Sequence, residues 1–293
     1  MGIVLAVLQI VAPVFILAAI GFAWVKVGLE YRVQFVTRLA MTLAVPCLIF
    51  TALQKTEIDP AALTAVVAAS AVAYGGLTLV AFLLVKVFGL SVRTFLAPVI
   101  FGNTGNLGLP LALFAFGDEG LGFAVVIFAV MAIYSFTFGV WVVSGGGSPL
   151  KVVKEPMVAA TLLGALFLYN GWHTPVWMTN TLQLIGQMAI PLMLITLGVA
   201  VARLHPAGMS RAFVIAVVKV VITVAVGWGV GLWFALPPVP FAVLVLQIST
   251  PVAVTSYMLA EKYAPDPEAV AGLVVASTLV SVIAIPVTLA FLL

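Results

Sequence analysis

The residues best suited to bind a ligand stand together in one apolar stretch, Phe101-Gly-Asn-Thr-Gly-Asn-Leu-Gly-Leu-Pro110. The side chains of Asn103, Thr104 and Asn106 carry hydrogen-bond donors and acceptors that suit a carboxylate or unpaired backbone groups. A polar side chain among apolar residues is costly unless it is hydrogen-bonded. We therefore predict that these three side chains bind substrate, with the satisfaction of a broken backbone as the alternative.

The same stretch cannot form a regular helix. Glycine lowers helix propensity by about 1 kcal/mol and proline by about 3 kcal/mol, so Gly105, Gly108 and Pro110 predict a break. In a membrane, broken backbone persists only where it is walled by protein or lines a cavity. Close helix packing through small residues would explain the glycines, but it would not explain the asparagines.

A second stretch, Gln247-Ile-Ser-Thr-Pro251, repeats this pattern more weakly. Pro251 predicts another helix break, and Gln247, Ser249 and Thr250 are further candidates for substrate binding. Two discontinuous helices in matching places of two halves indicate a transporter site near the middle of the membrane.

Lys219 is a charged residue well inside an apolar segment, eight residues beyond Arg211. Helical rise places it roughly 12 Å deeper than that arginine. A cation at this depth is a candidate for binding an anionic substrate. The alternative is that its long side chain reaches back to the membrane interface.

The composition places these residues in a membrane protein. Of the 293 residues, 65% are apolar and 7% are charged, whereas soluble domains are about 25% charged. So few charges exclude a soluble enzyme, a nucleic-acid-binding protein and a disordered chain.

A membrane span needs about 20 mostly apolar residues. Cutting the chain at charges and at Pro/Gly clusters predicts ten spans, at residues 3–25, 35–53, 61–85, 94–116, 121–143, 156–172, 176–202, 212–235, 239–260 and 269–293. Nearly all basic residues then lie on the side opposite the termini: Lys26, Arg32, Arg38, Lys86, Arg93, Lys151, Lys154, Arg203, Arg211 and Lys262. The positive-inside rule therefore predicts a multi-pass protein of the cytoplasmic membrane with both termini outside.

The two halves of the chain share short motifs. Residues 44–51 read AVPCLIFT and residues 189–196 read AIPLMLIT, so Pro46 and Pro191 are further predicted helix-break positions. Because each half has an odd number of spans, the second copy must be inverted in the membrane. We predict a first five-helix repeat at 1–143, a cytoplasmic linker at 144–155 and a second repeat at 156–293.

Three segments of the chain resemble the auxin efflux carrier family: Asn103 to Pro110, Val45-Pro46-Cys47-Leu48, and Pro251 followed by Ala260-Glu261-Lys262-Tyr263. The family includes plant auxin carriers and bacterial malonate-type transporters. The resemblance implies an all-α membrane fold of ten helices in two inverted repeats, like that of sodium/proton antiporters, with the fourth and ninth spans crossing at the midplane. It also implies a scaffold made mostly of spans 1, 2, 6 and 7, a homodimer, and an elevator-like movement of the remaining core.

The positions of the acidic residues indicate the charge of the substrate. All of them fall in predicted loops or at span ends, whereas a sodium/proton antiporter normally needs carboxylates near the midplane. The sequence therefore predicts a secondary carrier for a small organic anion, such as a mono- or dicarboxylate, without enzymatic activity, cofactor or metal site. A cation/proton antiporter of similar fold and a non-transporting membrane sensor or channel are the alternatives, and sodium and proton coupling both stay open.

Overall fold

The computed structural model describes residues 2–55, 60–145, 156–204 and 208–293. Most of the predicted linker 144–155 and the loop residue His205 lie outside these ranges. The described residues form helices α1 (Ile3–Lys26), α2 (Val33–Leu39), α3 (Val45–Lys55), α4 (Pro60–Val87), α5 (Val92–Ile100), α6 (Leu109–Tyr134), α7 (Val140–Ser144), α8 (Pro156–Asn170), α9 (Val176–Gln187), α10 (Ala189–Arg203), α11 (Met209–Trp233), α12 (Pro238–Ile248), α13 (Val254–Tyr263) and α14 (Pro267–Leu292). Three π-helical turns interrupt this series, at Ala40–Ala44, Thr104–Gly108 and Ser135–Gly139.

The predicted all-α membrane class is confirmed. Within the described ranges, seven helical segments are long and apolar enough to cross a membrane: Ile3–Lys26, Val33–Gln54, Ala61–Val87, Thr104–Ser144, Val176–Arg203, Met209–Trp233 and Pro267–Leu292. The segment Thr104–Ser144 has 41 residues, about twice the length of one span. It divides at Gly117, whose φ of 65° and ψ of −155° lie outside the helical region. The full count of ten crossings stays a prediction, because α5, α8, α12 and α13 are each shorter than a span.

The helices pack in two groups. In the first, which we call the scaffold group, α1 packs along α10, and α3 packs against α8 and α9. In the second, which we call the crossover group, α4 contacts α5, α6 and α11, and α12 contacts α6 and α11. These groups contain the spans that the family resemblance assigns to the scaffold and to the core.

Small residues bring the scaffold helices into backbone contact. A side chain at Gly21 of α1 would overlap the carbonyl of Ile195, and one at Gly198 of α10 would overlap the carbonyl of Ala18. The two helices therefore approach as closely as small-residue interfaces allow in membranes. The scaffold group meets the crossover group at several places: α1, α3 and α8 contact α6, and α10 contacts the π turn Thr104–Gly108, which lies next to the broken part of the fourth predicted span.

Candidate functional site

The first broken helix departs from α-helical geometry at Phe101–Asn103. Helix α5 ends at Ile100, Phe101 is extended with φ −91° and ψ 115°, and the chain resumes through the π turn Thr104–Gly108. The break therefore precedes Gly105, Gly108 and Pro110, the residues from which the sequence predicted it. Pro110 is the second residue of α6 and follows the π turn without a gap in the helix.

The second broken helix has a longer interruption, which begins with a turn at Ser249 and Thr250. Helix α12 ends at Ile248 and α13 begins at Val254, so Pro251 lies in the interruption itself, as predicted. Its carbonyl oxygen leaves the helical pattern and becomes available to another part of the chain.

The two interruptions meet and pair through their backbones. The amide of Asn103 donates to the carbonyl of Pro251 at 2.7 Å, and the amide of Ala253 donates to the carbonyl of Phe101 at 3.4 Å. Gly102 and Val252 form an isolated antiparallel bridge between these bonds. The backbone groups released by the broken helices thus find partners across the crossing, as they must in a low-dielectric interior.

Two glycines permit this approach. A side chain at Gly102 would overlap the hydroxyl of Thr250, and one at Gly108 would overlap the side-chain amide of Gln247. Gly105 instead faces a phenylalanine, since a β-carbon there would lie 3.0 Å from Cε2 of Phe128. The glycines therefore serve close packing as well as helix breaking.

Three predicted site residues carry buried polar atoms without a partner. These atoms are Nδ2 of Asn103, Oγ1 of Thr104, and both Oε1 and Nε2 of Gln247. Asn103 is 5% exposed, while Thr104 and Gln247 are fully buried. Leaving such groups unpaired costs about 1–3 kcal/mol each, so a water or a polar ligand that reached them would relieve this cost.

Two other predicted site residues bond within their own helix end. The hydroxyl of Ser249 donates to the carbonyl of Leu246 at 3.0 Å. That of Thr250 donates to the carbonyl of Gln247 at 2.7 Å. Their donor hydrogens are therefore used in closing the end of α12.

Lys219 does not reach back to the membrane interface. Its side chain is 1% exposed, and its ammonium donates to the carbonyl of Thr250 at 3.2 Å. The lysine thus places its charge at the carboxyl-terminal end of α12, where the helix dipole favours a cation. It supports the second interruption, and its predicted role in binding an anionic substrate stays a prediction.

Two long stretches of the chain match the same known protein family. The profile of a family described as membrane transport protein matches residues 6–148 and matches again over residues 140–289. The chain belongs to the auxin efflux carrier family. The two matches together cover nearly the whole sequence, and each contains one of the two helix interruptions.

Two archaeal relatives carry transporter names. The chain is 26% identical to an uncharacterized transporter of Methanothermobacter thermautotrophicus over 95% of this chain and 96% of the relative. It is 23% identical to an uncharacterized transporter of Methanocaldococcus jannaschii over 63% of each chain. These findings indicate a transporter rather than an enzyme.

The other residues that the sequence singled out lie near the crossing or in the scaffold group. Asn106 is half-buried in the π turn that contacts α10. Pro46 follows the π turn Ala40–Ala44, and Pro191 follows the interruption between α9 and α10 at Met188. Pro46 therefore lies inside the continuous helical segment Val33–Gln54, directly after its π turn, and Pro191 is the third residue of α10.

Ser277 is a part of the crossing that the sequence motifs did not identify. Its buried hydroxyl accepts a hydrogen bond from the amide of Val252 at 3.0 Å and donates to the carbonyl of Val274 at 3.1 Å. Its signal in the sequence is weak, because the span 269–293 also contains Thr278, Ser281 and Thr288. A buried hydroxyl in such a span must find a partner inside the protein.

The described parts of the chain contain no group of three or more His, Cys, Asp or Glu side chains that could hold a metal ion. The acidic residues that the structure describes lie at helix ends or in loops. They are Glu30, Asp118, Glu119, Glu261, Asp266 and Glu268. The electrostatics of the crossing are therefore set by helix ends, amides and Lys219.

Proposed function

We propose that this protein is a secondary carrier that binds a small organic anion, a mono- or dicarboxylate, where the two broken helices cross. The observation that carries the proposal is the set of buried polar atoms without partners on Asn103, Thr104 and Gln247. Amide N–H groups donate to carboxylate oxygens, and hydrogen bonds to a charged group contribute about 1.5–3 kcal/mol each.

Helix ends support the same charge preference. The half-helix that begins at Thr104 presents the first amides of a helix, which have no intrahelical acceptor. Such ends attract anions through both hydrogen bonding and the helix dipole. When protonated, Lys219 adds a positive charge beside the second interruption.

A substrate cation is disfavoured by the same residues. No acidic residue in the described ranges lies at the crossing, so a bound cation would lose its hydration without gaining a counter-charge. For this reason, a cation/proton antiporter of similar fold is only the second candidate. A sensor or channel would need a signalling domain or a charged pore ring, and the described residues provide support for neither.

The two helix groups suggest how the carrier moves. We propose that the crossover group, which holds both interruptions, slides against the scaffold group in an elevator-like step. Backbone contact between α1 and α10 makes the scaffold a firm support. The contact of α10 with the π turn that contains Asn106 supports a boundary of this movement beside that residue. By resemblance to the family, we expect two inverted repeats, at 1–143 and 156–293, and a homodimer.

Counterflow in proteoliposomes tests the proposed function. Vesicles loaded with an unlabelled carboxylate are diluted into a trace of the same labelled compound, for a panel that includes acetate, pyruvate, malonate, succinate and benzoate. We expect saturable overshoot for at least one carboxylate and at least tenfold weaker competition by its methyl ester. Preferential counterflow of an organic cation such as choline would contradict the anion proposal. Linear, unsaturable flux would favour a channel.

The proposed orientation has its own test. On a Cys47→Ala background, a cysteine at position 148 should react with a membrane-impermeant maleimide only from the cytoplasmic side. Sealed right-side-out vesicles should leave it unlabelled until they are opened. Labelling from outside in sealed vesicles would overturn the prediction of outside termini.

A further inference from the structure

A cavity of about 320 Å³ lies between α4, α5 and α11, apart from the atoms that form the crossing. Its walls are mainly apolar and include Leu84, Val85, Val99 and Val218, while Arg211 and Lys219 also line it. This volume is at the small end of the range for small-molecule sites, roughly 300–1,000 Å³. Asn103, Thr104 and Gln247 are not among its lining residues.

The ammonium-bearing side chain of Lys219 distinguishes this cavity from an apolar gap between lipid-facing helices. An ammonium has three donor hydrogens, and the structure gives this one a single protein acceptor, the carbonyl of Thr250, at 3.2 Å. The ion pairs formed by the described residues do not include Lys219. A buried charge with only a neutral partner is costly until a counter-charge joins it.

Arg211 adds a second positive charge at the other end of the cavity, two helical turns away on α11. Its ion pair with Asp266 spans 4.0 Å, and both side chains are about half exposed, so the pair contributes little. Arg211 also lies over the ring of Phe95 at 5.1 Å. An anion in the cavity would therefore find a basic side chain at two levels along α11.

We propose that this cavity is a second ligand site, which takes a small monocarboxylate with an apolar body and pairs its carboxylate with Lys219. The apolar walls contact the body of the ligand, and the ammonium supplies the counter-charge. The ligand's oxygen atoms compete with the carbonyl of Thr250 for the donors of Lys219. A ligand in the cavity therefore alters the second interruption, and through it transport. It does so without contacting the unpaired side-chain atoms of Asn103, Thr104 and Gln247.

Binding of labelled octanoate to the purified full-length protein tests the proposal. Val218→Trp fills the cavity from a lining position, and Val217→Trp on the exposed face of the same helix is the matched control. We expect Val218→Trp to weaken octanoate binding by at least tenfold and Val217→Trp to leave it unchanged. Leu84→Phe, which narrows the cavity from α4, provides a second reading if Val218→Trp fails to fold.

Two further arms separate this site from the proposed substrate site and from a lipid slot. Asn103→Ala should retain octanoate binding, even where it abolishes counterflow. Methyl octanoate should bind at least tenfold more weakly than octanoate, and Lys219→Met should remove that difference. Loss of octanoate binding in Asn103→Ala with retention in Val218→Trp would overturn the cavity assignment. Equal binding of acid and ester by the wild-type protein, as expected of an acyl-chain slot, would overturn the role of Lys219.

Discussion

The two interrupted helices occupy corresponding places in the two halves, yet they satisfy their polar groups differently. In the second interruption, the hydroxyls of Ser249 and Thr250 bond to carbonyls of their own helix. Lys219 and Ser277 bind its released carbonyl and amide. In the first interruption, Asn103 and Thr104 keep buried atoms without a partner.

This difference separates support from binding. The second interruption is held in shape by groups from α11 and α14, so a ligand would add few hydrogen bonds to it. The first, together with the side chain of Gln247 that lies against Gly108, gains hydrogen bonds only when something polar enters. Similar motifs in two repeats therefore need not share one role, and the partners of each motif decide which role it has.

The largest effect is expected where the two interruptions touch. Gly102→Ala would push a methyl group into the Thr250 hydroxyl and to 3.0 Å from its carbonyl oxygen. Overpacking of this kind typically costs about 1–3 kcal/mol, so we expect a clear drop in melting temperature and loss of transport. Gly75→Ala in α4 is the control, because nothing lies within 4 Å of its added carbon. Equal melting temperatures for the two variants would contradict the close crossing.

An effect on stability alone is expected at the support of the second interruption, whereas Gly102→Ala should also abolish transport. Ser277→Ala leaves the buried amide of Val252 without its acceptor, which should cost about 1–3 kcal/mol of stability. Ser281→Ala removes a buried hydroxyl that only donates to the carbonyl of Thr278 in its own helix. Thermal unfolding in detergent should show a larger loss for Ser277→Ala than for Ser281→Ala. If the order is reversed, Ser277 does not support the interruption.

The smallest of these effects is expected at the rim of the first interruption. Asn106 is half-buried in the turn that contacts α10, so water can replace part of what its amide provides. Asn106→Ala should lower the affinity for the substrate by about three- to tenfold, as for one neutral hydrogen bond, with unchanged expression. Initial rates of counterflow over a range of substrate concentrations provide the measurement. Affinity equal to that of the wild type would remove Asn106 from the site.

Local sequence patterns were sufficient to identify which two helices are broken, because Gly, Pro and amide residues rarely occur together in a regular apolar helix. They identified Asn103 and Gln247 without any knowledge of their neighbours. They could not place the first interruption correctly, since a π turn lets the helix resume ahead of Pro110. The partner of Lys219 and the role of Ser277 were beyond the sequence too, because both depend on which segments meet in three dimensions.

The measurement that tests the central claim most directly is substrate affinity in three alanine variants of the crossing. Asn103→Ala and Gln247→Ala each remove side-chain atoms that lack a protein partner, whereas Ser249→Ala removes a hydroxyl that is already bonded within α12. With the best carboxylate from the counterflow panel, isothermal titration should show about 10- to 150-fold weaker binding for the first two variants. Ser249→Ala should stay within about threefold of the wild type. Wild-type affinity in both Asn103→Ala and Gln247→Ala would contradict the account, because the substrate would then bind elsewhere.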